Sequence, residues 1–147
     1  MITEELITYK TAQLAKQAGF DAPCFYYYYA NQILQEPYLE NGSSTDCDFR
    51  VDLTDLLDNR NCKSYENSNN EIISAPSQSL LQRWLREVYE IHMYPTRCKF
   101  KTKYSWIIFE DNKVLQGEKW KTYELALEQA LQEALTIIIN RKDAHLS

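Results

Sequence analysis

His92 and His145 are the only two histidines in the chain, and imidazole is the usual proton acceptor beside a serine or cysteine nucleophile. His92 stands where a helical pattern gives way to a strand pattern, with no orienting partner marked nearby. A surface or helix-capping histidine accounts for it better than a member of a triad. No glycine-rich phosphate loop, G-x-S-x-G or H-E-x-x-H occurs, so nucleotide, acyl-transfer and zinc-protease chemistries lack their residues. The cysteines Cys24, Cys47, Cys62 and Cys98 are far apart and form no C-x-x-C pair. Zinc sites are usually built from such short-spaced pairs, so the expectation is reduced thiols, no metal and no cofactor. No catalytic residue can be named, which weighs against an enzyme.

Two segments could bind rather than react. In RCKFKTKYSW, residues 97–106, Arg97, Lys99, Lys101 and Lys103 take the odd positions, with Cys98, Phe100, Tyr104 and Trp106 on even ones. If this is one strand, its period of two puts four cations on one face and aromatics on the other. Such a basic strand at 97–103 could follow phosphates. Lysines guarding an exposed sheet edge give the same pattern, and a turn at 100–103 would leave the charges on a hairpin tip. The run CFYYYY, residues 24–29, reads as a strand with Phe25, Tyr27 and Tyr29 on one face and Tyr26 and Tyr28 on the other. Exposed rings at Tyr26 and Tyr28 could stack on bases, but no cation occurs from Asp21 to Asn31, and such platforms normally have them. The basic residues and these two tyrosines are the candidate binding residues.

Periodicity and punctuation set the helices and strands around these residues. Ile7, Thr11, Leu14 and Ala18 recur at helical spacing over 8–18, with Thr8 as N-cap and Gly19 as the stop. Residues 31–75 hold nine acidic against three basic side chains and read as an irregular acidic insert. Its turn-formers are NGSSTD (41–46) and NSNN (67–70), with a short helix in DLTDLLDNR and a brief strand at EIIS. SAPSQSLLQRWLREVYEIH is the clearest helix, capped by Ser74 or Ser77 with Pro76 in its first turn. Leu80, Leu81, Trp84, Leu85, Val88 and Ile91 form its apolar side, worth on the order of 10 kcal/mol if all are buried. Strands follow from Ile91 to about Val114, where Pro95 points to an edge strand and Glu110–Lys113 to a turn. A further strand runs from Val114 to Trp120. TYELALEQALQEALTIIIN is a final helix with Thr122 as cap, Leu127, Leu131, Ala134, Leu135 and Ile138 as buried stripe, and Asn140-Arg141-Lys142 at its end. The expected fold is α+β: a small antiparallel sheet of three to four strands packed against two or three helices, in a single domain over 1–147.

At 147 residues, with 44% apolar and 13% aromatic side chains, the chain can bury a core without disulfides. It has no basic, apolar leader and no run near the roughly 18 apolar residues of a membrane helix, so a cytoplasmic protein without a membrane partner is expected. The net charge of -5 speaks against general nucleic-acid binding. TAQLAKQAGFD, ISAPSQSLLQRWLREVYEIHM and TYELALEQALQEAL together resemble a family of short uncharacterised proteins from phages and prophage-like elements of gut anaerobic bacteria. Gln82, Trp84, Leu85, Arg86 and Glu87 match its Q-x-W-L-R-E block. Tyr123, Glu124, Ala126, Leu127 and Glu128 match its closing helix, where Leu125 replaces an expected glutamate. The resemblance covers about half the chain, leaves out 31–75, and implies a phage or mobile-element origin in a bacterial host cell without supplying site residues. The expected function is that of a small accessory protein acting by protein–protein binding, with a nucleic-acid-binding regulator as the alternative. The partner's identity and the oligomeric state are left open.

Overall fold

The computed structural model describes residues 4–31, 38–41, 59–61, 70–99 and 102–146. Its elements run α1 (Tyr9–Ala18), β1 (Tyr26–Asn31), β2 (Tyr38–Asn41), β3 (Asn70–Ser74), α2 (Gln78–Tyr89), β4 (His92–Arg97), β5 (Tyr104–Glu110), β6 (Lys113–Gln116) and α3 (Tyr123–Leu146). The fold is α+β, and its strands form two antiparallel sheets, β2-β1-β3 and β4-β5-β6, rather than one. The chain divides into two compact units, residues 8–76 and residues 1–7 with 77–147. The stretch read as an irregular insert supplies β2 and β3. The short helix read from DLTDLLDNR and the turns read from NGSSTD and NSNN lie almost wholly outside the described residues.

In the first unit, Thr8 caps α1 by accepting a hydrogen bond from the Thr11 amide at 3.4 Å. Gly19 ends the helix at φ 95°, a left-handed conformation that glycine adopts without a Cβ penalty. The amide of the buried Phe20 then bonds back to the Ala15 carbonyl at 2.9 Å. The buried face is Thr11, Ala12, Ala15 and Ala18, small side chains that let the helix approach β3 closely; Leu14 is only half-buried. The tripeptide Asn59-Arg60-Asn61 stitches this unit together. Asn59 and Asn61 donate side-chain hydrogen bonds to the Ala22 and Phe20 carbonyls at 2.9 and 3.1 Å. The Arg60 amide donates to Ser74 Oγ at 2.6 Å, and the Ser74 amide to Asn61 Oδ1 at 2.9 Å.

In the second unit, Ser77 is the α2 cap, accepting from the Leu80 amide at 3.2 Å. Pro76 therefore precedes the helix instead of entering its first turn, and Ser74 ends β3. Leu81, Trp84 and Leu85 are buried, but Val88 is exposed, because the helix stops at Tyr89 with Glu90 at φ 56°. The reversal at Glu90 returns Ile91 to the core, where it is fully buried. Among the described residues β4 pairs only with β5, at the edge of the sheet, and so tolerates Pro95, which faces Trp106 in the register. The α3 stripe of Leu127, Leu131, Ala134, Leu135 and Ile138 is buried, and α3 packs on α2, β4 and β5. This helix runs past the Asn140–Lys142 stop read from sequence, to Leu146. Arg141 forms an ion pair with Glu110 at the end of β5 and lies 3.6 Å from Asp111, so the cation clamps the β5–β6 turn.

Gln78 joins α2 to α3. Its amide nitrogen donates to the Glu124 carbonyl at 2.9 Å and to Glu128 Oε2 at 2.8 Å, and Gln78 and Glu128 are 5% and 4% exposed. A buried carboxylate deprived of a donor loses more than one weak bond, since hydrogen bonds to charged groups contribute about 1.5–3 kcal/mol. Gln78→Ala is expected to lower unfolding stability by about 2 kcal/mol or more, read as a shift in urea midpoint. A midpoint unchanged from the wild type would show that Glu128 does not depend on this donor.

Candidate functional site

The residues singled out in sequence belong to different units. Tyr26 and Tyr28 lie on β1 in the first unit, whereas Arg97, Lys99 and Lys103 surround the β4–β5 turn in the second. Residues 97–103 are not one strand. β4 ends at Arg97, β5 starts at Tyr104, and the Cys98 amide bonds to the Lys103 carbonyl at 2.9 Å to close the hairpin. The alternation of cations therefore continues through a turn, where period-two facing no longer applies. Arg97, Lys99 and Lys103 are exposed there; Lys101 lies outside the described residues. Tyr28 is turned toward α1, its ring edge-on to Tyr9 with centroids 5.4 Å apart, and Tyr26 shares that face by strand alternation. The cation missing from 21–31 comes from Arg60, 5.2 Å above the Tyr27 ring on the opposite face. Buried Arg60 also donates to the Cys24 carbonyl at 3.1 Å, which makes it a structural tie.

His92 is exposed at the first position of β4. Cys24 is buried beside Ser74 and Arg60, and burial pushes its thiol above the ordinary range despite the opposing pull of both neighbours. A thiol held protonated is a poor nucleophile. No group of three or more His, Cys, Asp or Glu residues suited to a metal ion occurs among the described residues. Among those same residues, no helix is long and apolar enough to cross a membrane.

Two features of the β4-β5-β6 sheet stand out. Its register sets His92, Phe109 and Val114 in one cross-strand row and Tyr94, Ile107 and Gln116 in another, on the same face. The alternate row of Met93, Ile108 and Leu115 belongs to the opposite face, where Met93 and Ile108 are buried. On the outward face Tyr94, Phe109 and Val114 are 44%, 37% and 62% exposed. Tyr94 and Phe109 stack with centroids 5.8 Å apart. These two rows contain no Lys, Arg, Asp or Glu.

The second feature is a recess of about 490 Å³ lined by Trp106, Gln116, Gly117, Glu118, Trp120, Gln129 and Glu133. It forms because the chain leaves β6 without leaving β5. The Gly117 amide bonds to the Trp106 carbonyl at 3.1 Å, and Ser105 Oγ donates to the Gly117 carbonyl at 2.8 Å. Trp120 then rejoins the ladder through reciprocal bonds with Tyr104 at 2.6 and 2.8 Å. Tyr104 and Trp120, as direct partners, share a face with Trp106 two residues on. Gln129 and Glu133, one turn apart on α3, close the other wall. The Trp120 indole N–H is buried with no hydrogen-bond partner among the described residues. Val114 to Trp120 is therefore not the one strand expected from sequence, since β6 ends at Gln116. The signal was Gly117, since glycine within a strand pattern marks a bulge or a close backbone approach.

No family model, curated protein or solved structure matches the chain.

Gly117 is held by space. A Cβ built at this position would fall within the indole ring of Trp106. Gly117→Ala is expected to displace that ring, lowering stability by about 1–3 kcal/mol and altering the tryptophan near-UV circular dichroism. Wild-type spectra and melting temperature in this variant would show that the ring has room to spare.

Proposed function

We propose that this chain is a small accessory protein of phage or mobile-element type, working in the cytoplasm of a bacterial host cell by binding another protein. The observation that carries the reading is the outward face of β4-β5-β6. Folded proteins seldom leave large contiguous apolar patches in water, and interface centres are depleted of charge and enriched in aromatic residues. Tyr94 and Phe109, already stacked on each other, lose little further freedom when covered. A face with neither carboxylate nor cation fits a partner presenting an uncharged apolar surface. The resemblance of the α2 and α3 segments to phage-encoded proteins supports the origin and host.

A second reading, a nucleic-acid-binding regulator, draws on the exposed Arg97, Lys99 and Lys103 at the β4–β5 turn. It has less support, because 97–103 is a hairpin turn and not the strand that would line its cations along one face.

Affinity capture from host cells carrying the element separates the two. The wild-type chain is expected to retain a protein partner whose recovery falls about tenfold or more in Phe109→Lys, since charging an interface centre costs several kcal/mol, and is unchanged in Lys99→Ala. Recovery indifferent to Phe109→Lys overturns the protein-binding reading. Salt-sensitive binding of labelled DNA or RNA that is lost in Lys99→Ala would replace it with the second.

A further inference from the structure

We infer that the recess between Trp106 and Trp120 receives an arginine side chain of a partner protein. The inference rests on the protein-binding reading but concerns a different surface, on the α3 side of the hairpin. Among the described residues its lining combines two indoles, two glutamines and two carboxylates, with no cation. Glu118 and Glu133 are exposed and hold no ion pair among the described residues. Neither pairs with a described residue, even though Lys119 and Lys121 lie one and three residues from Glu118.

The chemistry selects a cation and then a planar one. Indole faces attract cations through their quadrupole, tryptophan most strongly, and two carboxylates at the same opening reinforce the preference. A phosphate would meet the charges of Glu118 and Glu133, so a stacked nucleotide is disfavoured by the groups that favour a cation. A bare metal ion finds no group of three His, Cys, Asp or Glu among the described residues. Between basic side chains, guanidinium is flat, weakly hydrated and forked. It can stack on an indole while offering parallel N–H donors to a carboxylate, whereas a lysine ammonium presents a compact, strongly hydrated charge. Gln129 on α3 supplies a side-chain carbonyl acceptor for a remaining N–H group. About 490 Å³ exceeds what one side chain fills and lies in the range of sites that take a small ligand, which suits an arginine together with its flanking backbone.

The indole 15N–1H signals provide the test, because the chain has three tryptophans and Trp84 is buried elsewhere, against Tyr89. A blocked Ala-Arg-Ala tripeptide is titrated into the labelled full chain. The expected result is a saturable shift of the Trp106 and Trp120 signals with Trp84 unmoved, weakened about fivefold or more with Ala-Lys-Ala and with the uncharged citrulline tripeptide. Glu118→Gln with Glu133→Gln, both at exposed positions, should weaken the arginine tripeptide at least as much while leaving the melting temperature unchanged. No saturable shift, equal binding of the citrulline tripeptide, or guanidinium ion alone binding as tightly as the tripeptide overturns the inference. If the tripeptide fails while Phe109→Lys still abolishes partner capture, the arginine recess falls and the protein-binding reading stands.

Discussion

The burial of one stripe of α3 organises the second unit. Leu127, Leu131, Ala134, Leu135 and Ile138 are all at or below 4% exposure, and each such leucine or isoleucine contributes about 1.5–3 kcal/mol by leaving water. The same helix packs on α2, β4 and β5, so removing it would strand the apolar faces of all three. Because α3 satisfies one face of the sheet, the strands need no second layer to hold them. The outward rows are thereby released from the demands of folding, and aromatic residues there call for another explanation.

Polar groups in the interior fix what the apolar stripe leaves loose. Hydrophobic burial is non-directional, whereas Gln78 can reach both the Glu124 carbonyl and the Glu128 carboxylate in only one relative setting of α2 and α3. Asn59-Arg60-Asn61 does similar work in the first unit, where the small buried face of α1 offers little area. Three consecutive side chains and amides tie the loop after α1 to the end of β3. Arg60, buried and bonded there, is held by those ties and by the Tyr27 ring.

Local signals were legible wherever a cap or a period decides the outcome. Thr8, Gly19, Ser77 and Thr122 each act where their side chains or backbone freedom dictate, and Pro95 marks an edge strand. What the sequence concealed depends on distant partners. The end of α3 lies beyond Asn140–Lys142, because Arg141 answers to Glu110, thirty-one positions away, and not to its own helix terminus. The facing of CFYYYY was readable as alternation, but not which face α1 would cover; that is decided by Ile73, the buried partner of Tyr28 in β3. The basic ladder at 97–103 shows a limit of periodicity, since alternation continues in sequence after the strand has ended. The recess was hidden for a related reason: its walls come from a strand, a kink and a helix, and Gly117 alone gave notice of it.

Leu6 bridges Ser77, and the Gln78 amide bonds to the Glu5 carbonyl at 2.8 Å. Residues 8–76 thus leave and re-enter the chain at a single point of the second unit. Joining ends separated by about 70 residues costs roughly 4 kcal/mol in closure entropy when the intervening chain is unstructured. That cost falls if the intervening unit has already folded and shortened the effective loop. On a ribosome adding about 5–20 residues per second, Leu6 waits several seconds before Ser77 is made, a span in which α1 and β1 are already synthesised. The order of synthesis thus favours a sequence of assembly in which the interrupted unit is completed last.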